Sequence, residues 1–124
     1  MSKTIIDCGN CAPDHAAIRR WIERNFADVA IQQTDGPEET LEILRRRHVD
    51  LVLVNRKLDR DYSDGMDLIR QMKGDPSLAA VPVMLVTNYE EYQQQAMEIG
   101  AVRGFGKLAL DDPRTLELVR PFLA

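Results

Sequence analysis

Cysteine is scarce: Cys8 and Cys11 are the two in 124 residues, too few for a disulfide scaffold, and a chain of this length forms a core without staples. Long apolar runs are missing as well. None approaches the ~20 residues that cross a bilayer, and the polar start MSKTIIDCGN lacks the charged-then-apolar layout of a secretory signal. The expectation is a cytoplasmic protein with no membrane partner. Positive charge is not in excess: 16 Lys and Arg face 20 Asp and Glu, a net charge of −4, which gives no general reason to bind nucleic acid. Repeats, low-complexity tracts and Gly/Ser-rich linkers are absent, so residues 1–124 read as a single domain whose 44% hydrophobic content suits one modest core.

What is present is an alternation of short apolar runs with amphipathic stretches, the pattern of βα units feeding a parallel sheet. Thr4-Ile5-Ile6, extending through Asp7 and Cys8, reads as a first strand. After Pro13, Ile18, Trp21, Ile22 and Phe26 share one helical face. Asp28 to Gln33 forms a short second strand, and Asp35-Gly36-Pro37 turns into a helix with Leu41 and Leu44 inside. Arg45-Arg46-Arg47-His48 suits the negative end of that helix and reads as a solvated terminus. Val49 to Val54, nearly all apolar, is a central strand covered on both faces.

Met66, Ile69 and Met72 mark a third helix, closed by Lys73-Gly74-Asp75-Pro76. Val81 to Val86 is the fourth strand, with Pro82 near its start where a missing donor is tolerated. Tyr92, Ala96 and Ile99 belong to a fourth helix, Ala101 to Phe105 to a fifth strand, and Leu116, Val119 and Leu123 to a fifth helix. The expected fold is α/β: a doubly wound five-stranded parallel sheet flanked by five helices, in flavodoxin-like order. In such sheets the functional crevice lies beyond the carboxyl ends of the strands. The residues there are Asp7 to Cys11, Asn55 to Lys57, Thr87-Asn88 and Gly106-Lys107.

In order and spacing, VDLVLVNRKL, DGMDLIRQMK, VPVMLVTN and GAVRGFGKL together resemble the receiver domain of bacterial two-component response regulators over essentially the whole chain. The resemblance implies a phosphoryl-accepting Asp after strand three, Mg²⁺-binding acids after strand one, a Thr or Ser after strand four and a Lys after strand five. Thr87 and Lys107 match the last two, but the acceptor position reads Asn55. An amide oxygen is a poor nucleophile where a carboxylate would attack phosphorus.

The acid pair is altered in either register: counting from the first helix gives Asn10 and Cys11, counting from the first strand gives Asp7 and Cys8. With at most one carboxylate and the cationic Lys107 nearby, Mg²⁺ binding is expected to be weak or absent and no cofactor is implied. The switch aromatic of the family falls on Gly104, and Phe105 reads as core. Thr87 and Lys107 have a plain structural reading too, as a capping hydroxyl and as a cation hydrogen-bonded to Asn55.

Other chemistry competes for the same residues. Cys8 and Cys11 form a C-x-x-C between a strand and a helix, the placement of a thiol-disulfide redox pair. Zn²⁺ on Cys8, Cys11 and His15 lacks a fourth ligand. The loop Asp59 to Gly65 resembles a calcium loop, but its acids are out of place and Arg70 stands where a Glu is needed. A subtler alternative is an active phosphoacceptor in which Asp7, or Asp59 or Asp61 carried by the long loop, replaces the missing acids.

The favoured expectation is a stand-alone pseudo-receiver. It is a phosphorylation-independent signalling and protein-interaction module and not an enzyme. Its partner would be a signalling kinase or an output protein. Carried over from the family, the docking face is the fourth helix, fifth strand and fifth helix, near Glu90 to Glu98 and Arg114 to Arg120, where a second copy would also pair as a homodimer.

Overall fold

The computed structural model describes residues 2–124. Five α-helices alternate with parallel strands: β1 (Lys3–Cys8), α1 (Ala12–Asn25), β2 (Val29–Thr34), α2 (Pro37–Arg46), β3 (Leu51–Asn55), α3 (Met66–Gly74), β4 (Val83–Val86), α4 (Glu90–Glu98) and α5 (Pro113–Leu123). The strands pair in the order β2-β1-β3-β4, all parallel, with Ile5 opposite Ile31 and Leu51, and Leu53 opposite Met84.

Strand parity divides the core. In β3, Leu51 and Leu53 face one side, where Ile18, Trp21 and Ile22 of α1 and Val119 and Leu123 of α5 pack on them. Val52 and Val54 face the other, against Leu44 of α2, Met66, Ile69 and Met72 of α3 and Ala96 of α4. Burying both faces is why the strand is a continuous apolar run. Phe105 is buried, its ring 6.0 Å from that of Trp21.

Proline and acid mark the helix starts as the sequence suggests. Prolines stand in the first turns of α1, α2 and α5, where a missing N–H costs nothing. The Asp112 side chain caps α5 by accepting from the Arg114 amide at 2.9 Å.

The expected fifth strand is corrected. Among the described residues the sheet has four strands, and Ala101 to Phe105 contributes only an isolated bridge between Val102 and Met84. The cause is a side chain from α4. Gln93, 4% exposed, donates from Nε2 to the Leu85 carbonyl at 3.0 Å and accepts the Gly104 amide on Oε1 at 2.9 Å. Those are the two backbone groups that a parallel ladder would join after the Val102 amide to Val83 carbonyl bond. The next bond runs from the Thr87 amide to Phe105, one residue late. Gly104 has to be glycine, because a β-carbon there would overlap the Leu85 carbonyl oxygen. Pattern alone reads Ala101 to Phe105 as a strand; a buried carboxamide occupies its hydrogen-bonding edge.

Candidate functional site

β1 ends at Cys8, so the loop between it and α1 is Gly9-Asn10-Cys11 and carries no carboxylate. Gly9 makes the turn with φ +82°, a left-handed conformation that glycine adopts without strain, and a β-carbon there would overlap Leu58. Asp7 lies inside the strand and shares the parity of Ile5, so its fully buried carboxyl points toward α1. There it accepts from Asn10 Nδ2 at 2.5 Å and meets His15 Nδ1 at 2.7 Å. The orientation of the Asn10 amide follows from that contact, because its oxygen would be repelled by the carboxylate. Asn10 Oδ1 is left buried and without a donor.

Lys107 is drawn to the same side. Its ammonium donates to Asp14 Oδ2 at 2.7 Å and not to Asn55, which corrects the expected bond: a carboxylate on α1 outcompetes a neutral amide for an ammonium. That contact holds the Asp14 carboxyl below its ordinary range, helped by the Cys11 thiol. The two cysteines have different neighbours. Cys8 is buried with its thiol toward Thr40 and Thr34, and burial pushes it above the usual thiol range; a thiol so placed is a poor nucleophile.

The exit of β3 faces the other way. Asn55 Nδ2 turns back to the Lys57 carbonyl at 2.6 Å. Arg56 lays its guanidinium 4.1 Å from the centroid of the Tyr92 ring, with Nε buried and without a hydrogen-bond partner. At the end of β4, the Thr87 hydroxyl accepts the Tyr89 amide at 3.2 Å, a turn bond ahead of α4 and not a cap of the helix, whose N-cap position is Tyr89. These groups, together with Lys57, Asn88, Glu91 and Lys107, line a cleft of about 440 Å³.

Asp59 and Asp61 are exposed and stand apart from that cleft. The Asp59 amide ties the loop to the Gly9 carbonyl at 2.9 Å, and the Asp61 carboxylate is occupied by the Ser63 amide and hydroxyl at 3.0 and 2.7 Å. Arg60, between them, crosses to Glu38 at 3.0 Å, directing the loop toward the start of α2. Among the described residues, no three His, Cys, Asp or Glu side chains converge as a metal site would require, and no helix is long and apolar enough to cross a membrane.

The structure thus brings Asp7 and Asn10 together on one side, and Asn55, Thr87 and Lys107 around the cleft. Sequence reasoning missed His15 as the partner of Asp7, Asp14 as the partner of Lys107, and Gln93. The first two carried a signal, since both stand in the first turn of α1 facing the loop of Asp7 to Cys11; Gln93 carried none.

The family model of the response regulator receiver domain matches residues 11–118. No curated protein matches. Among solved structures, the chemotaxis response regulator CheY4 of Vibrio cholerae is similar at 12% identity and TM-score 0.75, over 99% of this chain and 100% of that one. The signal receiver domain of a DNA-binding response regulator from Colwellia psychrerythraea matches at 18% identity and TM-score 0.72, over 94% of this chain and 98% of that one. The receiver domain of Ssk1 from Saccharomyces cerevisiae, solved with the histidine phosphotransfer protein Ypd1, matches at 13% identity and TM-score 0.71, over 94% of this chain and 88% of that one. At these identities the neighbours share the fold, a parallel sheet between helices with its crevice at the strand exits, and the family match supplies the rest: the chain belongs to the response regulator receiver domain family.

Proposed function

We propose that this receiver signals by binding a protein partner without being phosphorylated. The observation that carries the reading is Asn55 at the end of β3, together with a β1 exit loop, Gly9-Asn10-Cys11, that holds no carboxylate. Phosphoryl transfer in the family needs a carboxylate nucleophile and a divalent cation. The amide is not a nucleophile. The donors present do not fit Mg²⁺, which favours carboxylate oxygens. Both Asp7 oxygens are engaged, and Asp59 and Asp61 are outside the cleft.

Binding would then carry the regulation. The face of α4, the 101–106 segment and α5 supports a protein partner or a second copy. Leu108 is 89% exposed on it, and the Glu90–Arg103 and Asp112–Arg114 pairs flank it. A receiver of this fold in complex with a phosphotransfer protein is a precedent for the class of partner.

The test is intact-mass spectrometry of the reduced protein after incubation with Mg²⁺ and acetyl phosphate. An unchanged mass is expected. A labile phosphoryl increment on the wild type overturns the reading and sends the search to Asp7, Asp59 and Asp61.

A further inference from the structure

Between the exit of β3 and the first turn of α4, the cleft gathers charge of one sign in a chain that is acidic overall. Arg56, Lys57 and Lys107 line it against a single carboxylate, Glu91. Lys107 is shared with Asp14 at 2.7 Å, and Asp64 is 3.9 Å from Arg56 Nε, too far for a hydrogen bond. Arg56 is the fixed member. Tyr92 holds its guanidinium at 4.1 Å from the ring centroid; its Nε is closed off from solvent, so an anion in the cleft would be met by the terminal nitrogens. A guanidinium oriented by a ring with unspent donors is preorganised for an oxyanion, because the entropy of ordering it is lost on folding and not on binding.

Two further donors face the same space. The Thr87 hydroxyl accepts from the Tyr89 amide, which leaves its proton available to an anion. Asn55 adds no negative charge where a carboxylate would repel one. The body of the cleft is aromatic: Tyr89 is 63% exposed and meets Tyr92 edge-on at 6.1 Å, so a ring face is open to solvent. A volume of about 440 Å³ exceeds what a bare phosphate fills and falls in the range of small-molecule sites.

We propose that this cleft binds a phosphomonoester with a flat apolar body, its dianion held by Arg56, Lys57, Lys107 and Thr87 without a metal ion and its ring against Tyr89. The proposal rests on the reading of Asn55 as a residue that is not phosphorylated. It makes the cleft a place where a soluble metabolite-like anion and the protein-binding surface meet through α4.

Phenyl phosphate is the probe, with inorganic phosphate and phenol as its two halves, titrated in EDTA and followed by amide ¹H–¹⁵N shifts. Phenyl phosphate is expected to shift Asn55 to Lys57 and Thr87 to Tyr92 and to bind about tenfold more tightly than inorganic phosphate, with phenol silent at the same concentrations. Arg56→Met should weaken it by about tenfold or more; Lys57→Ala, at an exposed site that leaves folding intact, by a few fold, and added salt should weaken it further. Shifts scattered over the surface, equal affinity for phenyl phosphate and phosphate, an absolute need for Mg²⁺, or indifference to both substitutions each overturns the assignment. Intact mass of the wild type after acetyl phosphate treatment separates the two readings. A covalent phosphoryl group there defeats the reading of Asn55, whereas an unmodified protein with no localised amide shifts defeats the cleft assignment alone.

Discussion

The two halves of the crevice lie at the same end of the sheet, share Lys107 and behave oppositely. On the α1 side, the charged groups are matched to one another: Asp7 with Asn10 and His15, Asp14 with Lys107. On the α4 side, Arg56 has an unpartnered Nε, Thr87 has a hydroxyl proton to give, and Lys57 is exposed beside them. The difference teaches that a buried carboxylate decides which polar groups of the crevice are satisfied within the chain. Asp7 is buried in its strand and the protein folds its own donors onto it; beside Asn55, the cations of the neighbouring loop are left facing a cleft.

The sharpest way to break this comparison is to remove Asp7. Asp7→Ala strands the buried Asn10 amide and the partly buried His15 ring, and the expected loss of stability is about 3 kcal/mol, read by urea unfolding, with phenyl phosphate shifts in the cleft unchanged. An unaltered unfolding midpoint would mean that the α1 half is not held together by this carboxylate.

Next in size is the wall beneath the open half. Gln93→Ala leaves the Leu85 carbonyl and the Gly104 amide without partners, a cost of about 2 kcal/mol. Faster hydrogen exchange at Gly104 and Phe105 is the second readout. Protection that rises instead would show the 101–105 segment closing onto β4 as a fifth strand.

A smaller effect is expected where the two halves share a cation. Lys107→Met removes a half-exposed ion pair, worth about 1 kcal/mol or less, and releases Asp14, whose carboxyl should titrate closer to its ordinary range by ¹³C NMR. The sign follows from the direction of the shift: Asp14 is depressed in the folded protein, so its contribution is present above the unfolded value and is lost as pH falls through the folded one. In Lys107→Met that part of the acid dependence disappears.

Smallest is the surface pair beside the proposed docking face. The Arg103 guanidinium, with Gln94, holds the exposed Glu90 carboxyl down to about 2 from its ordinary 4.5. Its contribution is therefore complete above about pH 4.5 and lost as pH falls toward about 2. Arg103→Gln should flatten that window slightly in an acid titration, and salt should erase the difference from the wild type.

The alternation of apolar runs was enough to place β1, β3 and β4 and all five helices, because burial on both faces demands continuous hydrophobic strands and one-sided helices. The residues at the strand exits followed from that order, so Asn55, Thr87 and Lys107 could be named from spacing. Their partners did not follow from it: the Lys107–Asp14 contact spans 93 positions of sequence, and the place of Asp14 in the first turn of α1 marks it only as near the strand exits.

The sequence by itself determined the fold class, the family and the presence of an amide, Asn55, at the exit of β3. These rest on residue identity and periodicity. Tertiary structure decided which way each charged group points. It turned Asp7 inward to His15 because strand parity puts it on the α1 face with Ile5, drew Lys107 to Asp14, and set the Gln93 carboxamide between β4 and the 101–105 segment. A polar side chain goes where its hydrogen-bonding capacity can be met, and only the packed chain establishes which groups are near enough to meet it.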